Sequence, residues 1–244
     1  MKHLLKLTVG IMIVAGHFAA QAQFGAPGGL PQGFHHALLD VLADGPSFYG
    51  KAQIQLSNGP GKDPSILSCK IAISSGNMRL EVDSFGAGLN LSPTEVARIK
   101  QMHLISILRP DKNRTYMVFP ALTSFLELAY CNSTGTNAAP ALKISKNPLG
   151  KESVGDQACD KSQWKVTESS GEYHDITVWT SMDVSNLPIQ IKVGAPPVWV
   201  IFQNLHLEAP ASSLFEVPAG YIKYEGIQEN ILRDAEKRQI TNSP

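Results

Sequence analysis

No charge of either sign dominates this chain: 21 Lys and Arg stand against 21 Asp and Glu. A balanced surface has no counterion-release drive toward nucleic acid, so no nucleic-acid partner is expected. Beyond residue 20 long apolar runs are missing. The longest, Leu104–Leu108 and Val198–Phe202, have strand length, whereas a membrane-spanning helix takes about 20 residues. Cysteine is scarce, with three residues and no C-x-x-C pair, and H-E-x-x-H does not occur. Ala72-Ile73-Ser74-Ser75-Gly76 has alanine where the G-x-S-x-G nucleophile elbow needs its first glycine. Gly59-Pro60-Gly61-Lys62-Asp63 has the wrong length and ending for a P-loop, and Gly86-Ala87-Gly88 lacks the third glycine of a dinucleotide site. His35, His36, His103, His174 and His206 show no metal-ligand spacing. Neither a catalytic residue, nor a metal, nor a cofactor is expected.

What is present begins at the N-terminus. Met1-Lys2-His3-Leu4-Leu5-Lys6 is basic, and an apolar run from Leu7 to Ala20 follows, ending on Ala20-Gln21-Ala22. Positive start, short apolar core and small residues around a cleavage point are the order of a secretory signal peptide, residues 1–22. Export to a periplasm or beyond the cell is therefore expected. Removing Lys2 and Lys6 from the 21 basic residues leaves 19 against 21 acids, a net charge of −2.

In an oxidising compartment three cysteines suggest one bond and one spare thiol. Cys69 lies on the apolar side of the alternating run Leu67–Ile73, as a buried free thiol would. Cys131 and Cys159 stand at loop edges and are the expected disulfide, closing a loop of about 28 residues worth roughly 3 kcal/mol in the chain-entropy view.

Residues 23–33, rich in Gly and Pro, read as a flexible leader. Phe34, Ala37, Leu38, Val41 and Leu42 recur on one helical face, which Asp44-Gly45-Pro46 ends. The period then becomes two. Phe48, Ala52, Ile54 and Leu56 alternate with Tyr49, Lys51, Gln53 and Gln55. Strands Leu67–Ile73 and Met78–Val82 come next, across a Ser75-Gly76-Asn77 turn. Ser92-Pro93-Thr94-Glu95 is a capping box opening a short helix to about Gln101. Strands His103–Arg109 and Arg114–Phe119 flank a Pro110-Asp111-Lys112-Asn113 turn, and Ala121–Tyr130 suits a short helix. Ser162–Glu168, Tyr173–Met182, Leu187–Val193 and Val198–Leu207 complete eight or nine strands. The last has bulky groups on both faces, Trp199, Ile201 and Leu205 against Val198, Val200 and Phe202. Residues 225–244 form a charged tail.

Such a chain is expected to be mainly β with helices (α+β). A single curved antiparallel sheet would form an incomplete barrel around helices or lidded by them, spanning residues 34–224. Phe48, Ile54, Met78, Leu80, Val166, Ile176, Val178, Ile189 and Ile191 fall on the drier side of their strands and would line its concave face. That space is filled either by the protein's own helices or by an apolar ligand such as an acyl chain. Trp164, Trp179 and Trp199 would pack in the core or girdle, or stack a sugar.

Three stretches carry a resemblance. They are Ile105-Ser106-Ile107-Leu108-Arg109-Pro110-Asp111-Lys112-Asn113-Arg114-Thr115-Tyr116-Met117-Val118-Phe119-Pro120, the run Leu149-Gly150-Lys151-Glu152-Ser153-Val154-Gly155-Asp156-Gln157-Ala158-Cys159, and Leu214-Phe215-Glu216-Val217-Pro218-Ala219-Gly220-Tyr221. Together they resemble the periplasmic lipoprotein-carrier (LolA-like) superfamily, in which many members are uncharacterised. The resemblance implies a half-barrel whose apolar face holds lipid chains, with acyl chains or lipoproteins as partners. It also implies an early arginine that gates the cavity. Arg79 is the candidate, but its strand places it opposite Met78 and Leu80, on the wet side. The alternatives to a carrier are an envelope sensor or interaction module that pairs with a protein through its sheet edge, and more distantly an envelope hydrolase. If export proceeds as expected, N-terminal sequencing of the protein from the envelope should begin at Gln23. Recovery of Met1 there would overturn the signal-peptide reading.

Overall fold

The computed structural model describes residues 38–39, 41–42, 45–59, 61–85, 104–130, 143–167, 173–184, 186–194 and 197–225. The signal, the leader, the capping-box helix and all but the first residue of the charged tail lie outside them. No helix among the described residues is long and apolar enough to cross a membrane.

Among the described residues twelve strands make one sheet: β1 Phe48–Leu56, β2 Ser65–Ser74, β3 Asn77–Phe85, β4 Ile105–Arg109, β5 Arg114–Phe119, β6 Ser124–Ala129, β7 Lys143–Val154, β8 Gln157–Thr167, β9 Tyr173–Ser181, β10 Pro188–Val193, β11 Val198–His206 and β12 Ile222–Tyr224. Their order is β12-β6-β5-β4-β3-β2-β1-β11-β10-β9-β8-β7. Sequence neighbours pair antiparallel, with two exceptions. β1 meets β11 across the length of the chain, and β12 joins β6 in parallel. β12 and β7 are the two edges, so the sheet is not closed into a barrel.

The turns are set by the backbone. Ser75 and Gly76 both take positive φ, at 50° and 73°, the primed turn that suits the twist of a two-residue hairpin. Between β4 and β5, Pro110 starts a 3-10 turn and Asn113, at φ 52°, closes it with its N–H on the Pro110 carbonyl. Pro120-Ala121-Leu122-Thr123 repeats that design, Thr123 standing at φ 48° with its N–H on Pro120. The helix expected over Ala121–Tyr130 is therefore a turn and β6. Threonine is a rare occupant of left-handed backbone because of its branched Cβ, so the second turn carries no visible signal. β7 is a further strand that the sequence pattern does not announce, and β8 begins at Gln157 rather than Ser162.

Alternation places one apolar cluster on a single face of the sheet, the core face. It takes Phe48, Ala52, Ile54 and Leu56 from β1, Leu67, Cys69, Ile71 and Ile73 from β2, and matching residues of β3, β4 and β8–β11. Leu38, Leu39, Val41 and Leu42 are helical and packed into the same cluster, none more than 4% exposed. The helical face read from Leu38, Val41 and Leu42 is thus present, and Leu39 is buried beside it.

Among the described residues four ladders slip register, at Tyr49/Lys51, Ser68/Cys69, Pro148/Gly150 and Pro188/Gln190, and two of these slips bear on the facing of residues discussed below. β1 and β11 slip register at Tyr49/Lys51, where Asn204 turns left-handed at φ 51°. Leu205 consequently packs toward the core cluster rather than on the side of Trp199 and Ile201. Gly50 sits in this slip. A Cβ there would lie 2.8 Å from the Asn204 carbonyl oxygen and 3.1 Å from that of Gln203. Both neighbours are backbone and cannot turn aside, so Gly50→Ala is expected to cost about 1–3 kcal/mol. It should appear as a lower urea midpoint at unchanged slope, and an unchanged midpoint would contradict the close approach. The slip at Pro188/Gln190 lies between β9 and β10 and bears on the candidate site.

Candidate functional site

Eight of the nine residues expected on the dry face come together. Phe48, Ile54, Met78, Leu80, Val166, Ile176, Val178 and Ile191 all belong to the core cluster. Ile189 does not. The β9–β10 ladder slips between Pro188 and Gln190, and an extra residue in a strand reverses the facing of its neighbours. Ile189 packs instead with Cys159 and Trp179 on the outer face.

The core face runs without a break through β4-β3-β2-β1-β11-β10-β9-β8. Eight strands spaced about 4.8 Å apart span roughly 34 Å, about three helix diameters. Cys69, inside this face, has its thiol pushed up to about 12 by burial and, secondarily, by Asp83. It is free and buried, as expected.

Cys159 is also free and buried in the structure, against Trp179 and Ile189. The expected bond to Cys131 is accordingly not found, and Cys131 lies outside the described residues. Cys159 is a strand residue whose sulfur points into an apolar cluster, which its place near a loop edge in the sequence did not suggest. Among the described residues no group of three His, Cys, Asp or Glu could hold a metal.

The tryptophans divide between the faces, and each has a lysine over its ring. Trp164 belongs to the core face and lies under Lys146 Nζ, 3.8 Å from the ring centroid. Trp179 and Trp199 pair on the outer face with centroids 5.6 Å apart, under Lys161 and Lys192 respectively.

Also on the outer face lies a feature that alternation alone did not reveal. After β11 the chain turns through a 3-10 segment, Ser212–Phe215, on its way to β12 at the far edge. Phe215 is buried with Ala72, Ile105, Ile107 and Val118, and Val217 and Tyr221 pack alongside. Two arginines pin this strap to the sheet. Arg79 donates to the Leu214 carbonyl at 3.2 Å, and Arg109 to that of Phe215 at 3.0 Å. Arg109 is only 8% exposed. It grips Asp111 with two bonds of 2.8 and 2.7 Å and also reaches Glu216. Lys112 holds both Glu216 oxygens at 2.9 Å. At the strap's end Glu127 receives Arg114 at 2.8 Å and Lys223 of β12 at 3.4 Å. Arg79 is thus a strap residue on the outer face, away from the apolar cluster where a gating arginine would stand. The available signal was Arg109 itself, a charge ending an otherwise apolar strand.

No protein-family model matches the chain, and neither does any curated protein. Similar solved structures do exist. A LolA superfamily protein from Nitrosomonas europaea shares 10% identity at a TM-score of 0.41, covering 74% of this chain and 96% of its own. LprF from Mycobacterium bovis shares 9% at 0.37, covering 76% and 96%. A putative outer membrane lipoprotein-sorting protein domain from Vibrio parahaemolyticus shares 10% at 0.32, covering 73% and 94%. Likenesses of this size carry no weight for function, which rests on the sheet and its two faces.

The strap's ion pairs have a definite pH dependence. Hydrogen bonds from Lys112 and Arg109 hold the Glu216 carboxyl below its ordinary range, and those from Arg109 do the same for Asp111. A lowered folded value means a contribution complete above the ordinary carboxylate range, about pH 4, and lost as pH falls through the folded values. Arg109→Ala removes a partner of both carboxylates and leaves the Phe215 carbonyl without its donor. A loss of about 2 kcal/mol is expected at neutral pH. Urea titrations from pH 7 downward should show the difference between wild type and variant narrowing below about pH 4, as its carboxylate part is lost. A difference independent of pH would mean that packing alone holds the strap.

Proposed function

We propose that this protein is exported and binds an apolar ligand, an acyl chain or the lipid part of a lipoprotein, on the core face of its open sheet. The observation that carries the proposal is the unbroken apolar surface of eight neighbouring strands, into which Leu38, Leu39, Val41 and Leu42 are packed. Those four residues fill such a surface in the way a chain of methylenes would. Among the described residues they take part in no strand ladder, so exchanging one apolar filling for another breaks no sheet pairing. Each buried methylene contributes about 0.8 kcal/mol, so a partly inserted acyl chain reaches micromolar affinity after the costs of association.

Binding would also suit the chemistry of the face, which presents aliphatic and aromatic groups where a catalytic cleft needs converging acids, bases or nucleophiles. The second reading, an envelope interaction module, would use the free edge of β7. That strand is guarded by Pro148, a bulge before Gly150, and Lys143, Lys146 and Lys151, devices that discourage strand addition.

The test is gentle purification from the envelope with native mass spectrometry and lipid extraction, then titration with a fluorescent acyl probe. Wild type should carry lipid and bind the probe at micromolar concentration. Leu80→Asp and Val178→Asp, each placing a charge on the dry face, should weaken the probe at least tenfold in protein that circular dichroism shows to be folded. Absence of lipid, with a probe indifferent to both substitutions, would mean that the face is permanently self-filled. A single co-purifying protein without lipid would favour the interaction module.

A further inference from the structure

The core face ends at the β7 edge in a way that specifies the polar end of its ligand; this inference rests on the reading just proposed. In the β7–β8 ladder, Ile144 stands opposite Val166 and Lys146 opposite Trp164. Directly opposed residues share a face. Val166 and Trp164 belong to the core cluster and Ile144 packs against it, so Lys146 belongs to that face too. Its side chain is exposed, with the ammonium lying 3.8 Å from the Trp164 ring centroid. The indole is fixed from below, its Nε1 donating to Ser162 Oγ at 2.8 Å.

The surroundings of Lys146 on that face are neutral. Ile144 and Pro148 flank it along β7, and Val166 and Ser162 flank Trp164 along β8. Among the described residues no carboxylate lies within ion-pair distance of Lys146. Lys161, which covers Trp179 on the outer face, differs in this respect, being held by Glu152 at 2.6 Å. The first charge met beyond the apolar surface at this edge is therefore positive, mounted on an aromatic ring and not neutralised by a described acid.

We propose that the ligand is an amphiphile with an anionic head. Its chain lies on the core face, and its head is seated by Lys146 over Trp164 at the β7 edge. A cationic head would meet Lys146 as a like charge, and a neutral head would leave its charge unused. Because Lys146 is exposed, the preference is modest and falls with salt.

The experiment is displacement of the fluorescent acyl probe by three ligands of one chain length: dodecanoate, dodecanol and dodecyltrimethylammonium. Wild type at low salt should bind dodecanoate about three- to fivefold more tightly than dodecanol, with the cationic chain weakest. Lys146→Glu should abolish or reverse that order while leaving dodecanol unchanged, and Lys146→Arg should retain it. Melting curves establish that the exposed substitutions leave the fold intact. Equal binding of dodecanoate and dodecanol by wild type, or an order that survives Lys146→Glu, would overturn the head-group assignment and leave the apolar site standing. Failure of every chain to bind would remove the apolar site and the assignment with it.

Discussion

An open sheet has two faces, and a chain that alternates apolar and polar residues makes one of them dry. That dry face has to be hidden, and in a sheet of twelve strands it is large. Large sheets resist staying flat, because twist accumulates from strand to strand. Burial of this one surface is the constraint to which the other features answer. It explains why Leu38, Leu39, Val41 and Leu42 are packed among strand residues. It also explains why the Cys69 thiol is pushed up: a thiolate there would lose its hydration with nothing to replace it.

The outer face is organised by a different interaction. There the strap from Ser212 to Tyr221 lies across strands whose outward residues include Ile105, Ile107 and Val118, groups that would otherwise be exposed. Apolar contact supplies the area, and Arg79 and Arg109 supply the register. A guanidinium presents donors in a fixed fork, so one side chain can grip Asp111 with two bonds and still reach a main-chain carbonyl. The strap begins after β11, in the middle of the sheet, and ends by adding β12 to β6 at the edge. It therefore ties together strands that are far apart in the sheet order, a task that neighbour-to-neighbour hairpins do not perform.

The distribution of charge obeys the same division. Lys70, Arg79 and Glu81 form a connected outer network, with Lys70 3.1 Å from Asp83. On the core face, by contrast, Lys146 stands where β7 brings the apolar surface to the sheet edge. An ion pair inside that surface would have to overcome the desolvation of both partners. At its rim, Lys146 can set its ammonium over the ring of Trp164 and still remain exposed to water.

Much of this architecture was legible from local pattern. The period-two runs in β1, β2 and β3, the helical spacing at Leu38, Val41 and Leu42, and the proline-led turn closed by Asn113 arise from backbone sterics and the need to hide apolar groups. Each involves residues close in sequence. Eight of the nine dry-face residues were identified in this way, and Ile189 was lost because a bulge reverses facing without changing composition. β6 was hidden for a related reason, since Thr123 takes a left-handed turn that its residue type does not advertise. Two features lay beyond any local pattern: the strap under Arg109 and the seat of Lys146 on Trp164. Each joins groups from separate strands, and their meeting depends on strand order and register. The sequence by itself determined which face of most strands would be dry. Only the tertiary structure decided what lies against those faces, because side chains distant along the chain are brought together only when the strands take their places in the sheet.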